Sequence, residues 1–224
     1  MILSVDTTSE FGSIALTEGE RTLEEILLHS PEGFSPILFQ HIQQLLDTHG
    51  LKVDAMECFA AASGPGSFTG VRVGLSAVKG LAEATGRRVV AVSNLRTIAS
   101  FGTAPLRAVV LDARRGEVYA AVYNDRLEAV LPESVMKFPA WLEALPREGF
   151  EFISTDFSAF QKLAPPEVPV LMAPRGLAAA VGRIAWREFR GGRACDPEEI
   201  DANYVRRSDA ELFWKDPVTR LPSK

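Results

Sequence analysis

The sequence predicts an α/β protein in which one order of elements, β-β-β-α-β-α-β-α, occurs twice. Short apolar runs alternate with stretches of helical spacing along all 224 residues. A Gly-Thr-Ala-Pro break at residues 102–105 divides the chain. Each half begins with an apolar strand that ends in an aspartate, Asp6 or Asp112, and a glycine follows at Gly12 or Gly116. The expected domains are therefore residues 1–103 and 104–224.

The first half opens with three strands, and helices follow them. Ser35 followed by Pro36 is a typical N-cap and first helical residue, which predicts a helix to about Thr48. A second helix begins near Gly70 and ends at Gly86, and a short third helix follows the last strand. The strands are apolar runs bounded by turn residues, at 2–5, 13–17, 22–29, 58–62 and 89–92.

The second half repeats this order. The tail around Asp196 to Arg207 is polar and punctuated by proline, with Tyr204 as its apolar anchor. We expect it to wrap on the body, and the residues from about Asp216 to Lys224 to be loosely held. Strands are expected at 107–111, 117–123, 127–131, 150–153 and 168–171, and helices near 140–145, 157–163 and 175–189.

Composition and charge exclude several classes of protein. A formal charge of −5 argues against a free-standing nucleic-acid binder. No apolar run reaches the roughly eighteen residues of a membrane span, so we expect a cytoplasmic protein without membrane contact. Cys58 and Cys195 make neither a disulfide framework nor a metal pair. Arg183, Arg187 and Arg190 share one face of the last helix, which is either a solvated face or a basic stripe turned to a partner.

A glycine-rich turn connects a buried strand to a helix at residues 63–74. Gly64, Gly66 and Gly70 allow close backbone approaches, and either Ser67 or Thr69 can cap the helix. Such a helix start suits an anion such as a phosphate. It is not a Walker loop, because no Gly-Lys-Ser/Thr ends it, and its G-x-G-x-x-x-G spacing does not fit the Rossmann fingerprint.

Mostly small side chains recur on one face of the following helix, at Gly70, Gly74, Ala77, Leu81 and Ala84. Glycine inside a helix costs ~1 kcal/mol relative to alanine, so two glycines on one face indicate that another backbone comes close. That backbone belongs either to the chain's own sheet or to another subunit. The sequence leaves both alternatives open.

The duplicated order and the turn after Asp6 resemble the actin-like ATPase superfamily, whose fold is ribonuclease H-like. Residues 6–16 look like the first phosphate loop of that fold. Residues 63–74 are similar to the glycine loop of the TsaB (YeaZ) family, the non-catalytic subunit of the bacterial machinery that makes threonylcarbamoyladenosine on transfer RNA. The resemblance extends over essentially the whole chain.

The resemblance implies an accessory role with no catalytic residues and no required cofactor. The chain would heterodimerise with the metal-containing catalytic paralogue that modifies adenosine 37, or pair with itself when alone. A pathway ATPase subunit is a further expected partner, and transfer RNA would be met only through the complex. Gly74→Leu would then weaken the subunit contact and leave the monomer folded. The implied interface residues are Ser35, Leu38, Ile42, Gly70, Gly74, Ala77 and Leu81.

The resemblance also implies at most a weak site for ATP or ADP. Because the second half has no glycine loop and Asp112 is followed by two arginines, a second interpretation is that Asp6 only caps a turn. The implied site residues are Asp6, Thr7, Thr8, Gly64, Gly66 and Ser67.

Two other functions compete with the accessory role. A stand-alone actin-like ATPase or kinase would use Asp6 or Asp112 to orient magnesium, but the chain is short and lacks a second phosphate loop. A peptidase is disfavoured because there is no His-Glu-x-x-His and no G-x-S-x-G around Ser67. The three histidines are His29, His41 and His49. Their spacing does not place two imidazoles one helical turn apart, so we expect no metal site.

Overall fold

Two five-stranded mixed sheets form the frame of the protein, described by a computed structural model over residues 1–205. The expected loose end at 216–224 lies outside these residues. The first sheet has the order β3-β2-β1-β4-β5 and the second β10-β9-β6-β7-β8. Their strands are β1 (Ile2–Asp6), β2 (Phe11–Glu18), β3 (Arg21–His29), β4 (Cys58–Ala62), β5 (Arg88–Val92), β6 (Leu106–Asp112), β7 (Glu117–Asn124), β8 (Ala129–Lys137), β9 (Phe150–Ser154) and β10 (Val170–Met172).

Both sheets have the same topology. In each, three strands form an antiparallel meander and two further strands run parallel to the first. The two central strands, β1 and β4, are buried along their whole length because helices cover both faces of the sheet. This arrangement confirms the predicted duplication and the actin-like, ribonuclease H-like fold.

The helices of residues 1–205 form three layers around the sheets. α1 and α2 cover the outer face of the first sheet, α3 and α5 fill the space between the sheets, and α4 covers the outer face of the second. None of these helices has the length and apolarity that a membrane crossing requires. Their bounds are α1 (Leu38–Thr48), α2 (Phe68–Thr85), α3 (Asn94–Ala99), α4 (Phe138–Ala144) and α5 (Ala178–Arg190).

Two expected helical features are wrong. α1 begins three residues after Ser35, and no side chain caps it. The amides of Ile37 and Leu38 both bond to the carbonyl of Phe34, whose ring is buried in the core, so Ser35 lies in a turn fixed by that ring. Residues 158–163 form successive turns and no helix, and Pro165 and Pro166, which follow Ala164, disfavour their extension into one.

The helix α5 belongs to the second half of the sequence but packs on the first sheet. Its Gly182 lies so close to Ser4 and Thr17 that a Cβ would be 2.9 Å from either side chain. The Ser13 hydroxyl accepts hydrogen bonds from the amides of Leu177 and Ala178 at 3.0 and 2.9 Å, and so caps the helix from the other half. In return α3, from the first half, packs on β6 and β7. The expected boundary at 103/104 lies between α3 and β6, but helix packing crosses it.

Side chains of the first half engage two of the three arginines on α5. Arg187 forms a bidentate pair with Glu20 at 2.7 and 2.9 Å, and Arg183 donates to Thr22 at 3.0 Å. The guanidinium of Arg190 lies 5.6 Å from the ring centre of Trp186. The arginine face therefore helps to hold the two halves together.

The tail wraps on the body, as expected, as far as Val205. Cys195 forms a β-bridge with Val89 beside the first sheet, and Ile200 is buried in the core under α2. The tail then passes over the glycine loop, where Asn203 and Tyr204 contact it.

Candidate functional site

The glycine loop lies directly on the turn that follows β1. The carbonyl of Thr8 accepts a hydrogen bond from the Ser67 amide at 2.7 Å, and the Thr7 hydroxyl donates to the Gly70 carbonyl at 2.7 Å. A Cβ on Gly66 would be 2.4 Å from the carbonyl oxygen of Thr8, and one on Gly70 2.0 Å from that of Thr7. The structure thus brings together the two segments predicted to bind nucleotide, and glycine is needed for their contact.

Asp6 lies buried beneath this contact. Its Oδ1 accepts hydrogen bonds from the amide and the hydroxyl of Thr8 at 2.9 and 2.6 Å, whereas Oδ2 is buried and has no hydrogen-bond partner within residues 1–205. Burial raises the pKa of Asp6, and the hydrogen bonds from Thr8 offset this only in part. Asp6 therefore caps its own turn, and its role in a nucleotide site stays a prediction.

Asn94, the first residue of α3, joins the turn to the glycine loop. Its Nδ2 donates to the Thr8 hydroxyl at 2.6 Å, and its Oδ1 accepts from the Gly64 amide at 2.8 Å. Its own amide donates to the Gly64 carbonyl at 2.8 Å. No role for Asn94 was predicted from the sequence. Ser93 and Asn94 are both typical helix-capping residues and follow a strand directly, and this pattern could have indicated that role.

A second polar network spans the gap between the two halves. Glu133 on β8 accepts hydrogen bonds from the hydroxyls of Tyr123 and Ser93 and from Nδ2 of Asn203. The amide of Asn203 donates to the carbonyl of Ser63 at 2.8 Å. Burial and the neighbouring Glu133 raise the pKa of Tyr123, so the phenol keeps its proton and donates it. None of the side chains in this network was predicted.

Part of the helix start and of the glycine loop that could receive a phosphate is bonded within the chain itself. The Ser67 hydroxyl caps α2 by accepting from the Gly70 amide at 3.2 Å, which confirms the predicted cap. The amides of Gly64 and Ser67 are bonded to Asn94 and Thr8. ATP or ADP would have to displace these partners, so a weak nucleotide site at the six implied residues stays a prediction.

The turn after β6 differs from the turn after β1. Arg114 and Arg115 both have positive φ angles, 66° and 55°, in the left-handed region that favours glycine. Asp112 accepts a hydrogen bond from the Arg114 amide at 2.7 Å and is exposed, whereas Asp6 is buried. The duplication is therefore not matched by a second phosphate loop.

An apolar groove of about 480 Å³ runs between α1 and α2, on the surface predicted to meet another subunit. Phe39 and Phe68 line it and are 56% and 45% exposed. Three of the expected interface residues, Ser35, Leu38 and Ala77, also line it. Two others do not: Ile42 is buried in the core and Leu81 is half-buried beside it.

The two glycines expected at the interface are used within the chain. Gly70 and Gly74 are buried against Thr7, and a Cβ on Gly74 would be 2.7 Å from the Thr7 hydroxyl. A leucine there would collide with the chain's own core, so the expectation that Gly74→Leu leaves the monomer intact is wrong. A contact with another subunit stays a prediction, and it would use the exposed groove residues beside these glycines.

The three histidines make local contacts. His49 lies 2.8 Å from the carboxylate of Glu24, His41 bonds to the Ile37 carbonyl at 2.9 Å, and His29 stacks on a neighbouring ring. In the described part of the chain, no three His, Cys, Asp or Glu side chains are grouped so that they could hold a metal ion.

Known proteins match this chain over its full length. The family model described as "TsaD: tRNA N6-adenosine threonylcarbamoyltransferase" matches residues 31–181. The tRNA threonylcarbamoyladenosine biosynthesis protein TsaB of Haemophilus influenzae is 36% identical, over 100% of this chain and 98% of that protein. TsaB of Escherichia coli is 30% identical, over 100% and 99%. The solved structure of YeaZ from Pseudomonas aeruginosa has a TM-score of 0.76 and 27% identity, over 91% of this chain and 98% of that one. The chain therefore belongs to the TsaB (YeaZ) family.

Proposed function

We propose that this chain acts in the synthesis of threonylcarbamoyladenosine on transfer RNA, as an accessory subunit without catalytic residues of its own. The observation that carries the proposal is the similarity over the full length to TsaB proteins, whose names place them in this biosynthesis. A second observation supports the proposal. The Asp6 Oδ1 atom, the Asn94 side chain and the amides of Gly64 and Ser67 are bonded within the chain, which agrees with a structural role for this site.

The subunit contact falls, in this proposal, on the groove between α1 and α2. The groove presents Phe39 and Phe68, each about half exposed. Burying the exposed half of each ring contributes roughly 1 kcal/mol, because a fully buried phenylalanine contributes about 1.5–3 kcal/mol. The partner is the metal-containing catalytic paralogue, or a second copy of this chain when the paralogue is missing. The pathway ATPase and transfer RNA join through the complex, in the cytoplasm.

The variant Phe39→Asp tests the proposal, with Leu163→Asp as its matched control. Both residues are 56% exposed, but Leu163 lies in the turns beyond β9, in the other half of the chain. We expect light scattering to show a heterodimer of the catalytic paralogue with the wild type and with Leu163→Asp. Phe39→Asp should bind at least about tenfold more weakly, since a charge is then buried in an apolar contact.

Two outcomes would contradict the proposal. Equal binding by both variants would remove the groove from the interface. Failure of the wild-type chain to bind the paralogue, or to restore threonylcarbamoyladenosine in transfer RNA from cells that lack TsaB, would contradict the accessory role. ATP turnover by the pure chain that is lost in Asp6→Ala would favour the stand-alone ATPase instead.

A further inference from the structure

Tyr204 joins the tail to the groove between α1 and α2. Its hydroxyl accepts a hydrogen bond from Arg72 Nε at 3.0 Å, and its ring centre lies 5.7 Å from that of Phe68. The guanidinium of Arg72 lies over the Phe68 ring, 3.6 Å from its centre. Phe68 and Arg72 both line the groove. Any partner that covers these two residues therefore changes the surroundings of Tyr204.

Asn203, the preceding residue, joins the tail to both halves of the chain. Its amide donates to the carbonyl of Ser63 at the start of the glycine loop, at 2.8 Å. Its side chain donates to Glu133 of the second half at 2.5 Å. Its carbonyl oxygen packs against Gly64, at 3.3 Å from the place where a Cβ would stand. Asn203 thus holds the glycine loop and the second half together, and it does not line the groove.

We propose that Asn203 and Tyr204 form a clasp through which docking in the groove and closure of the glycine loop strengthen each other. This rests on the proposed function for the docking partner. A partner that covers Phe68 and Arg72 removes water from the contacts of Tyr204, which strengthens them. Tyr204 in turn fixes Asn203 on Ser63 and Glu133. Because coupling between two sites is reciprocal, loosening Asn203 weakens docking although Asn203 lies outside the groove.

Hydrogen exchange of the isolated full-length chain tests the clasp itself. The amides of Gly64, Ser67 and Asn94 are hydrogen-bonded within the closed loop and report its opening. In Asn203→Ala these amides should exchange about fivefold faster or more, which corresponds to the loss of one hydrogen bond. Glu198→Ala, an exposed residue of the same tail, should leave them unchanged. Unchanged exchange in Asn203→Ala would overturn the clasp.

Binding to the catalytic paralogue tests the coupling. Asn203→Ala and Tyr204→Ala should both weaken the heterodimer about fivefold or more, and Glu198→Ala should not. If Tyr204→Ala weakens binding and Asn203→Ala does not, Tyr204 is only a contact residue and the coupling is overturned. Tyr204→Phe removes the hydroxyl alone and should act in the same direction, so the test holds even if an alanine variant does not fold.

The two proposals fail in different ways. If the wild-type chain forms no complex, the proposed function and the coupling both fall, while hydrogen exchange still decides whether Asn203 closes the loop. If the complex forms and Asn203→Ala binds as the wild type does, the coupling alone falls.

Discussion

At the scale of the residue, Asp6 holds a carboxylate in an environment that disfavours its charge. One oxygen has two donors from Thr8 and the other has none. Burial raises the pKa of Asp6 above its ordinary value near 3.8, so the folded chain binds this proton more strongly than the unfolded chain does. Protonated Asp6 therefore adds to the free energy of unfolding. This contribution is fully present at a pH below the ordinary pKa and is lost as the pH rises through the pKa of Asp6 in the folded chain.

The variant Asp6→Asn should remove this pH dependence. Asparagine keeps an oxygen for the Thr8 donors and does not titrate, so the free energy of unfolding should fall less between pH 4 and pH 8 than it does in the wild type. Urea denaturation across that range measures it. Asp156→Asn is the control, because hydrogen bonds with Ser158 lower the pKa of this exposed carboxylate and its titration lies below that range. The same pH profile for both variants would contradict the assignment to Asp6.

At the scale of the element, α2 contains glycines with different roles. Gly70 lies against the backbone of Thr7, whereas Gly80 is exposed and a Cβ there would meet nothing within 4 Å. Gly80→Ala should raise the free energy of unfolding by ~1 kcal/mol through helix propensity. Gly70→Ala should lower it by roughly 1–3 kcal/mol, since the turn after β1 must move away. Chemical denaturation of the two variants decides this, and a stable Gly70→Ala would show that the contact does not require glycine.

Local signals were sufficient to predict most elements. The Ser67 cap and the Gly86 stop of α2 were found because each acts within one helical turn, and Gly86 has the left-handed backbone expected of a helix end. The start of α1 was missed because the buried ring of Phe34 fixes the turn before it. Phe34 fits the apolar spacing of the helix with Leu38 and Ile42, so the spacing alone could not show that it lies in the turn before the helix.

The polar contacts of the candidate site could be predicted only in part. Asp6 and the glycine loop were expected in one site because the resemblance to the actin-like superfamily and the TsaB family implies it. Asn94 bonds to Gly64 and Thr8, and Glu133 bonds to Asn203, across 30 to 86 positions of the chain, and each of these side chains is a polar residue of a common type. Periodicity cannot indicate such contacts, and they determine whether the phosphate-binding groups are open.

At the scale of the whole molecule, the two halves complete each other. The inner face of the first sheet, with Ile2, Ala60 and Val90, is covered by α5 from the second half. Residues 1–103 expressed alone should therefore not fold, because that apolar face has no cover. Mixed with residues 104–224, they should regain structure. Circular dichroism and proton NMR of the separate and mixed fragments measure this, and a cooperatively folded 1–103 fragment would contradict it.

The position of α5 in the sequence also determines how late in translation the first sheet is covered. The last strand of the first sheet ends at Val92, and the helix that covers its inner face ends at Arg190, roughly a hundred residues later. At translation speeds of about 5–20 residues per second this is a delay of about 5–20 s. During that time the nascent sheet carries an uncovered apolar face, so we expect the ribosome-bound chain to bind chaperones that cover such surfaces until α5 emerges.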